Sequence, residues 1–123
     1  MKTITGFDNN FDFSKLIKVA DLIYFDGPLL SHYMSDNGEN YLFLWVDADA
    51  DYNRWVVIRT DILSIQQYLD RKVNLRSLVM NSNDGFVFSV DIDDDMNYSN
   101  IKVVPIDELP EKYFPTEDSF YSM

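Results

Sequence analysis

Residues 29–46 read LLSHYMSDNGENYLFLWV. Asn37-Gly38 divides this stretch into two runs of aromatic and aliphatic residues. Asn-Gly suits the left-handed backbone of a tight hairpin turn, so the pair predicts two antiparallel strands, Leu29–Ser35 and Tyr41–Val46. In the second run Tyr41, Phe43 and Trp45 alternate with Leu42, Leu44 and Val46, and neither set is polar. A strand apolar on both faces belongs in the middle of a sheet that is covered on each side.

Moving outward, Asp26-Gly27-Pro28 punctuates the chain before this hairpin. Upstream of it, Lys15 opens as a short helix and Leu22–Phe25 closes as a strand. Downstream, Arg54–Arg59 is β-branched and aromatic and predicts another strand. Thr60 or Asp61 then caps a helix reaching about Lys72, with Ile62, Ile65, Tyr68 and Leu69 at helical spacing. A second short helix is expected at Leu75–Met80. Strands follow at Phe86–Ile92 and Ile101–Val104. Pro105, Pro110 and Pro115 forbid a long element beyond. The sum is an α+β domain: a mostly antiparallel sheet of about five strands with one main helix packed on one face. Residues 1–14 form an N-terminal arm, 15–116 the single domain and 117–123 a C-terminal tail. That tail is expected to wrap the surface through Tyr113, Phe114 and Phe120.

The chain has 123 residues and no cysteine. Disulfides, thiolate metal sites and cysteine nucleophiles are therefore excluded. The net charge of −11 disfavours direct nucleic-acid binding, because phosphates would be repelled. Aromatic residues at 15% argue against a disordered acidic tail. Of the 21 acidic residues, 17 are Asp and 4 are Glu, which places the charge on turns rather than helix surfaces. No signal peptide or apolar membrane span is visible, so a cytoplasmic protein is expected.

Two acidic stretches stand out. Asp47, Asp49 and Asp51, followed by Asn53, alternate as the first ligands of a calcium loop do. Tyr52 stands where that loop needs glycine, and Ile58 where it needs a closing glutamate. Asp91, Asp93, Asp94 and Asp95 form the second stretch, again without the glycine or the glutamate. A solvated loop is the plain reading of each. The functional reading is a docking patch for lysine and arginine on a partner, with Tyr52 and Trp55 as aromatic anchors beside the charge. Trp45 reads as core. If both loops lie at one end of the sheet, their carboxylates share one rim.

Catalytic machinery is missing. His32 is the single histidine, no glycine-rich phosphate loop exists, and no serine sits in an elbow motif. Arg54, Arg59, Arg71, Lys72 and Arg76 cluster mid-chain and are expected to pair with surrounding acids.

The stretches Tyr24-Phe25-Asp26-Gly27-Pro28-Leu29-Leu30, Leu44-Trp45-Val46-Asp47 with Arg54-Trp55, Asn74-Leu75-Arg76-Ser77-Leu78 and Leu109-Pro110-Glu111-Lys112-Tyr113-Phe114-Pro115 carry a resemblance. Over roughly residues 20–116 the chain resembles a family of small uncharacterised bacterial proteins. The resemblance implies a bacterial or phage origin and a compact α+β domain, and it transfers no activity.

The functional expectation is a non-enzymatic acidic protein that binds a basic protein partner, itself a nuclease or nucleic-acid-binding protein. It would inhibit or neutralise that partner as an immunity protein, antitoxin or phage-type inhibitor, and DNA mimicry is the extreme form. The alternative is a regulatory module binding Ca²⁺ or a small ligand. No cofactor, resident metal or membrane is expected, and nothing in the residues sets the oligomeric state.

Overall fold

A computed structural model describes residues 13–121. The expected arm therefore lies outside the described residues except at its last two positions. A 3-10 turn at Phe13–Lys15 leads into β1 (Ile17–Tyr24), β2 (Pro28–Met34), β3 (Asn40–Ala48) and β4 (Asn53–Thr60). Then come α1 (Ile62–Leu69), α2 (Leu75–Met80), β5 (Phe86–Ile92) and β6 (Tyr98–Pro105), followed by two 3-10 turns. The six strands form one antiparallel sheet in chain order, β1 to β6.

The α+β class holds, and the sheet is wider than the five or so strands expected. The first strand is also longer than Leu22–Phe25, starting at Ile17 in a stretch expected to open as helix. This edge strand is irregular. Its pairing with β2 slips between Lys18 and Ala20, between Asp21 and Ile23, and between Ile23 and Tyr24. Such slips erase the period of two by which a strand is recognised. The last strand is longer than Ile101–Val104 and begins at Tyr98.

The two-faced apolar pattern of β3 has the expected consequence. Leu42 and Leu44 face the helices, opposite Ile58 and Val56 of β4. Ile65, Tyr68, Leu75, Leu78 and Val79 close that core from above. Tyr41 and Phe43 face the other way and join Val57, Phe86, Phe88, Val90 and Ile92. Phe13 seals part of this second face, its ring centroid 5.3 Å from Phe88 and 6.1 Å from Phe43.

Helix α1 begins where its cap predicts. Asp61 is the N-cap and its carboxylate accepts from the Ser64 amide at 2.7 Å. The buried stripe is Ile65 and Tyr68, with Leu69 packed against the core. Ile62, expected in that stripe, is exposed. The helix ends at Leu69, short of Lys72, and Arg71 turns the chain in the left-handed region (φ 63°). Asp61→Ala is expected to cost about 1 kcal/mol, read as a lowered urea midpoint. A cost near zero would mean that the amide finds water as readily as the cap.

After β6 the chain packs back onto the helix face. Tyr113 is buried, Phe114 packs against the helix-side core, and Tyr121 lies 5.5 Å from Tyr68, ring to ring. The Leu75 amide donates to the Ser119 carbonyl at 2.8 Å. Phe120, expected as an anchor, is exposed.

Candidate functional site

In an antiparallel meander, alternate connections fall at the same end. The registers Tyr24↔Pro28, Ala48↔Asn53, Asn53↔Ile92 and Ile92↔Tyr98 place three turns side by side. These are the β1–β2 turn at 25–27, the β3–β4 turn at 49–52 and the β5–β6 turn at 93–97. The two acidic stretches therefore share one rim. Strands about 4.8 Å apart set successive turns about 10 Å from one another.

The rim carries Asp26 on the first turn, Asp49 and Asp51 on the second, and Asp94 and Asp95 on the third, all exposed. Apolar side chains stand among them. Tyr24 is 68% exposed, Phe25 79% and Met96 60%. Two of these turns hold non-glycine residues at positive φ, Asp26 at 55° and Met96 at 64°. Backbone held there in non-glycine residues must be fixed by its surroundings.

Asp93 does the fixing in the third turn. Its carboxylate accepts from the Asp95 and Asn97 amides, both at 2.9 Å, and from Asn97 Nδ2 at 3.2 Å. The Asn97 amide holds the Asp93 carboxyl below the usual carboxylate range. Asp93 is thus half-buried and structural, while Asp94 and Asp95 project to solvent.

Asp91 departs from the expectation of an exposed acidic loop. It lies inside β5 and is fully buried. Arg54 donates to it twice, through Nε at 2.8 Å and Nη2 at 3.1 Å, and Asn100 Nδ2 donates at 2.9 Å. The pair forms because Arg54 and Asp91 stand opposite on β4 and β5. Hydrogen bonding from Arg54 holds the Asp91 carboxyl low, and the same bonding raises the Arg54 guanidinium above its ordinary value. Arg54 also donates to the Tyr113 hydroxyl at 3.1 Å and to the Tyr52 hydroxyl at 3.3 Å. Tyr52 therefore packs on Arg54, its ring centroid 5.6 Å from the guanidinium carbon, rather than standing as an outward anchor. The sequence hides this network because Asp91 looks like the first member of the run that continues at Asp93.

The calcium-like alternation is also dispersed. The Tyr113 hydroxyl donates toward Asp47 at 3.5 Å, Asp49 accepts from the Ala50 amide at 2.6 Å, and Asn53 Oδ1 accepts from Trp45 Nε1 at 3.0 Å. Among the described residues, no three acidic or histidine side chains converge in a way that could hold a metal ion. His32 is buried in the sheet and shares a 2.8 Å hydrogen bond with Asn40. Arg59 pairs with Asp84, and Arg76 with Glu111 at 2.7 Å, so those members of the basic cluster meet acids as expected.

The two tryptophans differ in exposure. Trp45 and Trp55 stand opposite on β3 and β4, so both point to the aromatic face. Trp45 is 37% exposed, and Trp55 is the more covered of the two. Reading Trp45 as core was wrong because β3 runs past its cover at the acidic end, and a strand's middle and its end look alike in sequence. Trp45, Tyr24, Phe25 and Met96 are the rim residues that the sequence reading missed. For Tyr24, Phe25 and Met96 the signal is an apolar side chain within two residues of a turn acid.

Among the described residues no helix is long and apolar enough to cross a membrane. A family model described as a family of unknown function (DUF6575) matches residues 14–121, and the chain belongs to that family. No curated protein and no solved structure matches it.

Proposed function

We propose that this family member is a cytoplasmic, non-enzymatic interaction protein whose three-turn rim binds a basic protein. The partner class is a nuclease or nucleic-acid-binding protein. Covering its cationic surface would inhibit or neutralise it, as immunity proteins, antitoxins and phage-type inhibitors do. One observation carries this reading. Projecting carboxylates and the exposed Tyr24, Phe25 and Met96, with the partly exposed Trp45, stand together at a single end of the sheet.

The two kinds of residue have different tasks. Charge steers encounter and rejects acidic partners, and it is screened at high salt. Desolvated aromatic side chains supply most of the binding energy and slow dissociation. A net charge of −11 on 123 residues suits the first task, and the exposed aromatics suit the second. The turns are backed by antiparallel ladders, so little ordering entropy is lost on docking.

The test is capture from nuclease-treated lysate of the encoding organism at low and high salt. Wild-type protein is compared with a variant carrying Asp49→Asn, Asp51→Asn, Asp94→Asn and Asp95→Asn. These four side chains are exposed, so the variant is expected to keep the wild-type melting temperature. A stoichiometric basic protein should be retained by wild type at low salt and bound about 10–100-fold more weakly by the variant. Equal retention by a folded variant would overturn the rim as the binding surface.

A further inference from the structure

On the aromatic face, beside the third turn, lies a groove of about 300 Å³. That is the lower limit of small-molecule pockets, suited to one long side chain. Tyr33, Phe43 and Trp55 form its floor, and Ile92 and Met96 wall it. Asp93 and Asp94 line it as well. Among the described residues Lys18 is the only cation lining it, at the opposite end on β1.

We infer that this groove receives an arginine side chain of the basic partner, stacked on Trp55 with its guanidinium turned to Asp93 and Asp94. The inference rests on the proposed function and names the contact that function uses. Three features support it. The chain already sets one cation on this floor, since Lys18 Nζ lies 5.7 Å from the Tyr33 ring centroid and 2.9 Å from Asp21. A cation over a ring with a carboxylate beside it is therefore a stable arrangement here, and the Trp55 end repeats the ring and the acids with no cation beside them among the described residues. Charge is complementary along the whole rim. An arginine fits better than a lysine, because its planar, weakly hydrated guanidinium stacks on indole while its edge bonds carboxylate.

Met96 is the adaptable part. It sits in the left-handed region at the tip of a turn braced by Asp93, and it lines the groove. An unbranched methionine can close on the aliphatic stem of a bound arginine.

The experiment uses the full chain, labelled for amide, indole and methionine-methyl resonances. The probes are blocked arginine (N-acetyl-arginine amide), blocked citrulline and hexa-arginine. Blocked arginine should shift the Trp55 indole and the Met96 methyl and saturate in the millimolar range. Citrulline, which keeps the shape and loses the charge, should bind at least tenfold more weakly, as should blocked arginine to Asp94→Asn. Met96→Ala, on an exposed turn, should weaken arginine several-fold without changing the amide spectrum elsewhere. Absence of saturable shifts at Trp55 and Met96, or equal binding of citrulline, overturns the groove. Hexa-arginine separates the two readings. Shifts at Asp49, Asp51 and Asp95 with Trp55 and Met96 unmoved would remove the groove and leave the rim. Shifts at neither would remove both.

Discussion

Replacing Arg54 by leucine is expected to destabilise the protein by about 3–5 kcal/mol, the usual cost of stranding one partner of a buried ion pair. Asp91 is fully buried, and two of its three side-chain hydrogen bonds come from Arg54. Without the guanidinium its charge stays in a low-dielectric interior with Asn100 as its remaining hydrogen-bond donor and only the more distant charge of Lys102. The Tyr113 hydroxyl also loses its donor. For a denaturant slope near ~2 kcal/mol per M, the urea midpoint should fall by ~2 M. Arg54→Leu combined with Asp91→Leu should recover most of the loss, because an apolar pair of similar bulk removes the unpaired charge. A single-variant cost under about 1 kcal/mol would mean that water or another donor already serves Asp91.

The pH dependence has a definite sign. The folded Asp91 carboxyl titrates below its ordinary value of 3.8, chiefly because Arg54 donates to the charged form. The unfolded state therefore binds this proton first as acid is added. The pair's contribution is complete above the unfolded value and is lost as pH falls below 3.8 through the folded value. In Arg54→Leu the largest cause of that lowering is gone, and burial, which favours the neutral acid, counts for more. The gap between wild type and variant should thus be full at pH 6 to 7 and narrow below about pH 4. A gap that stays constant down to pH 3 would show that the cost is packing rather than charge.

The sequence was most legible where one local signal was enough. Asn37-Gly38 set the central hairpin, and Asp61 accepts the third amide of the helix it precedes. The opposed apolar sets of β3 required cover on both sides, and the two cores supply it. What stayed hidden depended on distance along the chain. Arg54 and Asp91 are 37 residues apart, so no local pattern joins them. The edge strand β1 was obscured by its register slips, and Lys18 sits on it looking solvated although it reaches back over Tyr33. The shared rim could be stated only as a condition, because it follows from strand order. Once the order is a simple meander, turns one hairpin apart must coincide.

Trp45→Ala should separate stability from binding. A tryptophan in the core costs about 3–5 kcal/mol when truncated to alanine. Trp45 is more than a third exposed, keeps one hydrogen bond to Asn53 and stands opposite Trp55 across the strands. Its folding cost should be about 1–2 kcal/mol, a cross-strand pair plus partial burial. Its binding cost should be larger. Trp45 stands on the aromatic face at the acidic end, where a docked partner would complete its burial. Central aromatic side chains so covered lose 2 kcal/mol or more on truncation, which is ~30-fold or greater in Kd. The paired measurement is a urea melt and a partner titration on the same protein. A large folding cost with unchanged Kd would return Trp45 to the core and move the anchor to Tyr24 and Phe25. A small folding cost with a large loss of affinity would place the centre of the interface on the exposed end of β3, where aromatic face and acidic rim meet. The arginine groove and the rim carboxylates would then be two sides of one surface, because Trp45 joins them through Trp55 and Asn53.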